Sequence, residues 1–141
     1  MSDPYHLARF VEAQDPVIDR VLQELQAGRK ASHWMWFVFP QLDGLGRSAM
    51  AERYALSGVD EARAYLRHPV LGPRLEACVN ALMQHCDKSA RQILGSPDDL
   101  KLRSCLTLFA QVDPSNPLFQ LALVQFYQGE PDALTLGLLG Q

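Results

Sequence analysis

The sequence predicts an all-α protein, an irregular multihelical globule of short helices in a single domain spanning residues 1–141. Three observations carry that expectation: apolar residues recurring at helical spacing, prolines placed after capping-type residues, and glycines where the helical patterns stop. No long run alternates strictly between apolar and polar residues, as a half-buried strand would.

The prolines mark the starts. Asp3-Pro4, Asp15-Pro16, Ser96-Pro97 and Asn116-Pro117 each pair a residue that can accept from the unpaired N–H groups of a first turn with one that has no N–H to lose there. Asp98 and Asp99 add negative charge at the positive end of a helix dipole. Gly28, Gly95 and Gly129 close helices by taking up the left-handed backbone that ends them. Between these marks, Val17, Val21, Leu22 and Leu25 share one face, and Leu71, Leu75, Cys78, Val79, Leu82 and Met83 form a second. Leu102, Cys105, Leu106 and Phe109 form a third, and Leu118, Phe119, Ala122, Leu123, Phe126 and Tyr127 a fourth. Spacings of three and four fit a 3.6-residue repeat. Helices are expected near 4–14, 16–28, 33–38, 47–56, 60–67, 70–86, 89–94, 97–111, 117–128 and 131–139. Trp34 to Phe39 is the one β-like stretch, and it is read as a short helix or turn started by Ser32. Short loops leave no room for a linker, and neither an internal repeat nor a low-complexity segment is present.

Composition narrows the function classes. The 141 residues are 48% hydrophobic and 21% charged, with a net charge of −3. That balance argues against a nucleic-acid binder, which needs a basic face to displace counterions, yet it leaves space for a local pocket holding one phosphate. Three cysteines make an odd count; Cys78 and Cys105 sit among apolar residues and read as small core side chains. Reduced thiols fit a cytoplasmic compartment. The N-terminus lacks the basic start and apolar run of a secretory signal. No apolar stretch approaches the ~18 residues of a membrane helix. A soluble cytoplasmic protein is the expectation.

Residues 32–48 stand out. They carry both tryptophans, Trp34 and Trp36, then Gln41, and then a glycine-rich loop, Gly44-Leu45-Gly46-Arg47-Ser48, that runs to an expected helix start. Two readings are open. In one, an aromatic face stacks a flat ring, Gly44 and Gly46 let the backbone approach it, and Arg47 with the N–H groups near Ser48 holds a phosphate. In the other, the aromatics are core and the glycines an ordinary turn. His33, beside Trp34, is a candidate general acid or base, with capping or packing as the alternative. Glu12 and Gln14 end the first helix and either point into a site or face solvent. Lys101 and Arg103 are explained by local ion pairs or by anion binding. His68, before Pro69, reads as a helix-boundary residue, and Thr107 as a satisfied core hydroxyl. No nucleophile elbow, zinc-protease motif, paired cysteines or calcium loop occurs. His6, His33, His68 and His85 lack metal-ligand spacing, so neither a metal nor a cofactor is expected.

At Arg9 to Gln14, Gly28-Arg29-Lys30, His33 to Ser48, His68 to Leu75 and Asp98 to Phe109, the chain resembles the bacterial domain-of-unknown-function family 1810. The string His33-Trp34-Met35-Trp36-Phe37-Val38-Phe39-Pro40-Gln41-Leu42 is the most specific part, and the likeness runs to Phe126 through Asp132. That resemblance implies an all-α multihelical domain. The family is often labelled calpastatin, but calpain inhibitors are long, disordered and repetitive, whereas this chain is aromatic and non-repetitive. More distantly, Phe10-x-x-Ala13-Gln14, the aromatic segment and His68-Pro69-x-Leu71 are similar to the NADAR family, which acts on N-glycosidic bonds to ADP-ribose and related sugars. The likeness implies Glu12 or Asp43 as an acid and a tryptophan as a stacking platform, although NADAR proteins carry their acid in a different local context.

Two functions therefore compete. One is a pocket for a nucleotide-sugar or ADP-ribose-like ligand, lined by Gln14, Trp34, Trp36, Gln41, Gly44, Gly46, Arg47, Ser48 and Lys101, with His33 or Glu12 transferring protons. The other is a non-enzymatic helical module that offers a groove to a protein partner of unknown identity.

Overall fold

Ten helices account for the apolar stripes among the residues described by the computed structural model, 3–140. They are α1 (Ala8–Gln14), α2 (Ile18–Ala27), α3 (Met35–Val38), α4 (Ala49–Arg53), α5 (Val59–Arg67), α6 (Leu71–Met83), α7 (Ala90–Leu94), α8 (Asp98–Val112), α9 (Leu118–Tyr127) and α10 (Ala133–Leu138). The all-α, irregular multihelical architecture is thus the observed one. Helix α8 is the central element. Its residues Leu102, Cys105, Leu106, Leu108 and Phe109 are fully buried, and it packs against α5, α7, α9 and α10. Helix α6 packs on α2, α5 and α9, and α1 on α3.

An aromatic chain crosses the core. Phe10 meets Tyr65 edge-on at 5.1 Å between ring centroids, Tyr65 meets Phe109 at 5.7 Å, and Phe109 meets Phe119 at 5.6 Å. Each such pair adds about 0.5–1.5 kcal/mol beyond simple burial. Burial pushes the Cys78 thiol up to about 12 and that of Cys105 well above its ordinary value, so both are inert core side chains.

Capping differs in detail from expectation. Helix α1 begins four residues after Pro4, but Asp3 still serves it: its carboxylate accepts from the N–H groups of Leu7 (2.8 Å) and Ala8 (3.0 Å). Asp15 does not cap α2; it pairs with Arg74 at 2.8 Å. Pro97 and Pro117 occupy the cap position itself, just outside the helix, and Asn116 Oδ1 accepts from Leu118 N at 3.1 Å. Ser32 does not start α3, because its hydroxyl donates to Glu24 at 2.6 Å and Trp34 takes the cap position. Gly28 ends α2 in the left-handed conformation as expected (φ 74°, ψ 25°); Gly95 ends α7 at positive φ (80°) but with an extended ψ of −179°, and α9 is ended by Gln128 at φ 58°, followed by Gly129.

Arg9 holds the segment that follows α4. Its guanidinium donates to the carbonyls of Tyr5, His6, Arg53 and Ala55 and to Glu61, the last at 2.9 Å. Glu61 in turn accepts from Ser57 N. The segment so held carries Leu56, which exchanges hydrogen bonds with residues 41–43: Asp43 N donates to Leu56 O at 2.9 Å and Leu56 N to Gln41 O at 3.0 Å. Gln41 and the glycine-rich loop are therefore anchored through a partly buried ion pair and a single bridge.

Candidate functional site

Helix α3 is one turn long, and the indoles of its cap residue Trp34 and of Trp36 within it diverge. Trp34 is only 1% exposed. Its Nε1 donates to Glu24 Oε1 at 2.9 Å, and Lys30 lies 5.2 Å from its ring centroid. Glu24 also accepts from Ala31 N, Ser32 N and Ser32 Oγ. Burial alone would raise the Glu24 pKa. The bonds from Ser32, Ala31 and Trp34 together outweigh burial and hold it down to about 2. Trp36, by contrast, is half-buried, with Lys101 Nζ 5.5 Å from its ring centroid.

Trp36 opens onto a small enclosed space shared with Met35, Phe39, Ala51 and Tyr54, and with Gln41 and Lys101 at its edge. The same Gln41 and Lys101 line a larger neighbouring cleft of about 390 Å³. It is lined further by Leu45 and Gly46 of the α3–α4 loop, by Pro97, Leu100, Arg103 and Ser104 at the start of α8, and by Asp132 and Leu134. Gly46 is needed there, since a Cβ on it would fall 2.5 Å from Ala51 Cβ and 3.3 Å from Gln41 Nε2.

Most polar groups around this cleft are already engaged. Arg103 donates to the Glu130 carbonyl (3.0 Å) and carboxylate (3.3 Å). Asp132 accepts from Thr135 N and Oγ1, and Ser104 Oγ donates to Leu100 O. Thr107 is satisfied on both sides, by Arg103 O and Asp132 N. Besides its contact with Trp36, Lys101 has one ion pair among the described residues, with Asp98 at 3.7 Å, while Asp98 makes its closer pair, 3.0 Å, with Lys30. The side-chain amide of Gln41 has no hydrogen bond among the described residues. An ammonium and an amide are the groups this cleft can offer a ligand, with the indole of Trp36 in the small space that shares them.

The structure brings Trp36, Gln41, Gly46 and Lys101 together and separates the rest of the expected set. Trp34 is a correction: it is sealed against Glu24 and presents no face to a cavity. Gln14 is another. It is 1% exposed, its Nε2 donates to Phe37 O (2.6 Å) and Tyr65 OH (3.1 Å), and it secures the end of α3 rather than a ligand. His33 is exposed and lines none of the cavities described. Glu12 lines a different groove, beside Tyr5 and His68. Gly44, at φ 97°, turns the exposed loop toward Leu138, Arg47 is exposed without an ion pair among the described residues, and Ser48 accepts from Ala51 N as the cap of α4. Pro97, Leu100 and Leu134 were missed. Leu100 had a signal, because it falls off the Leu102–Cys105–Leu106–Phe109 stripe and so had to face outward; it is 56% exposed. Among the described residues no group of three His, Cys, Asp or Glu side chains is placed to hold a metal ion, and no helix is long and apolar enough to cross a membrane.

Fold and site together define a multihelical all-α protein with a small cleft of mixed polarity between the α3–α4 loop, the start of α8 and the α9–α10 connection. Residues 4–139 match the family described as protein of unknown function (DUF1810), and the chain belongs to that family. It is similar to a solved structure, that of the conserved hypothetical protein Rv1873 from Mycobacterium tuberculosis, with 51% identity over 99% of each chain and a TM-score of 0.97. No curated protein matches the chain.

Proposed function

We propose that the chain binds a small nucleotide-like anion, of the nucleotide-sugar or ADP-ribose class, in the cleft beside Trp36. The observation that carries this reading is the pairing of a half-buried indole with a loosely held ammonium at a concave surface: Lys101 lies over Trp36 and shares the cleft wall with Gln41. A volume of about 390 Å³ is at the lower end of small-molecule sites, about 300–1,000 Å³, and suits a single base-and-phosphate unit. A flat ring would take the indole face that Lys101 now covers. The ammonium would swing from its weak pair with Asp98 onto a phosphate, and the Gln41 amide would read a ring edge. His33 and Glu12 lie outside the cleft, so the reading is one of recognition, and no catalytic residue is assigned.

Calorimetric titration of the full chain with AMP, ADP-ribose and NAD tests this. Saturable binding that Lys101→Met weakens about tenfold, the worth of one charge-assisted contact, supports the reading. Absence of saturable binding at millimolar ligand removes it.

A second reading rests on Leu100 and Leu134, 56% and 71% exposed at the rim of the same cleft. A partner's helix could seat its apolar face there. In that case Leu134→Ser abolishes partner capture while Lys101→Met leaves it unchanged.

A further inference from the structure

Helix α5 carries an arrangement that the fold does not require. Arg63 and Arg67 lie one turn apart on it, a spacing at which like charges repel rather than stabilise. Asp60 reaches Arg63 at 3.4 Å, and Arg67 has no ion pair among the described residues. A cation in the last turn of a helix is favoured by its dipole, which accounts for Arg67 but not for a second guanidinium on the same side. Both arginines line one cavity of about 450 Å³ with Tyr5, Asp60, Ala64 and His68. Tyr5, Ala64 and His68 also line a second cavity of about 550 Å³, walled by Leu7, Ala8 and Val11 of the N-terminal turn and α1. The two cavities are therefore halves of one groove, basic at one end and apolar along the other.

His68 sits at the junction with its protonation pattern set by the backbone. Its Nδ1 accepts from Val70 N at 3.1 Å and Leu71 N at 3.3 Å, where it caps the start of α6. In the neutral ring this leaves Nε2 as the donor. Asp60 also lines the basic end, where it pairs with Arg63, and the other two carboxylates stand in the apolar half. Asp3 in the apolar half is engaged by the N–H groups of Leu7 and Ala8, and Glu12 stands at that half's exposed rim. Two arginines against one carboxylate at the basic end, and two carboxylates with no arginine in the apolar half, favour an anion at the arginine end.

We propose that this groove is a second ligand site that takes a phosphate monoester carrying an apolar group, with the phosphate on Arg63 and Arg67 and the apolar group against Leu7 and Val11. Two planar guanidinium groups and a neutral ring N–H supply the several donors that a phosphate dianion needs. The site is separate from the Trp36 cleft.

The test titrates the full chain with phenyl phosphate and with inorganic phosphate at low ionic strength, by calorimetry. Saturable binding of phenyl phosphate is expected, tighter than that of inorganic phosphate. The Arg63→Gln/Arg67→Gln double variant is expected to weaken it by about tenfold or more, while Lys101→Met leaves it unchanged. Both arginines are surface residues, and an unaltered thermal melt of the double variant shows that loss of binding is not loss of fold. The proposal is overturned by absence of saturable binding at low-millimolar phenyl phosphate, or by equal affinity for the two phosphates. Undiminished affinity in the double variant, or loss of affinity in Lys101→Met, also overturns it.

Discussion

Trp34 and Trp36 are two residues apart and do opposite things. Trp34 is sealed, its N–H consumed by Glu24, and its surroundings contain Lys30 and the ordered turn from Ala31 to Ser32. Trp36 is half-buried at a cleft, under a lysine with only a 3.7 Å ion pair to hold it. Trp34 stands just outside α3, with a non-helical backbone (φ −141°, ψ 4°), and Trp36 stands within it, so the two side chains leave the chain in different directions. The lesson is that an aromatic-rich segment is divided by its geometry between anchoring and recognition.

Substitutions should separate the two regions, and the largest effect belongs to the anchor. Trp34→Ala is expected to cost about 3–5 kcal/mol, by lost burial and a cavity, read from urea unfolding; a loss as small as that of Trp36→Ala would erase the distinction. Gly46→Ala comes next, at about 1–3 kcal/mol, because its new Cβ would press on Ala51 Cβ at 2.5 Å; it should also narrow the cleft and reduce ligand affinity. Trp36→Ala is expected to cost about 1–2 kcal/mol, in keeping with its partial burial, and to abolish nucleotide binding in the titration. Lys101→Met should change stability by no more than about 0.5 kcal/mol, as for an exposed ion pair, while weakening that binding.

Acid sharpens the contrast from another direction. The folded-state pKa of Glu24 is held near 2, below its ordinary 4.5. Its ionised form therefore adds stability that is fully present above about pH 4.5 and is lost as pH falls through about 2. Glu24→Gln should be less stable at neutral pH and should flatten the fall in stability across that window, measured as the urea midpoint against pH. Lys101→Met should leave the slope unchanged.

The helices were legible because the information for them is local. Four apolar stripes, the glycines at Gly28 and Gly95, and Asn116 before Pro117 act within a turn or two of where they stand. Starts were less so. A proline after an acid identifies a turn, but Asp3 caps at a distance through Leu7 and Ala8, and Asp15 finds Arg74 across the molecule. The site was legible only as a segment. That Gln14 would be spent on Phe37 O and Tyr65 OH depends on partners 23 and 51 residues away. That Gln41 and Lys101 would share a wall depends on Arg9 and Leu56 holding one loop while α8 presents the other.

The chain alone determined its class, an all-α assembly of short helices in the DUF1810 family, and which stretch is chemically unusual. Periodicity and capping are written in neighbouring residues, so they survive without coordinates. Only the tertiary structure decided which indole is buried, which polar groups are already paired, and that Arg63, Arg67 and His68 face one groove with Tyr5. Those outcomes follow from packing between distant segments, where each side chain's role is set by what arrives beside it.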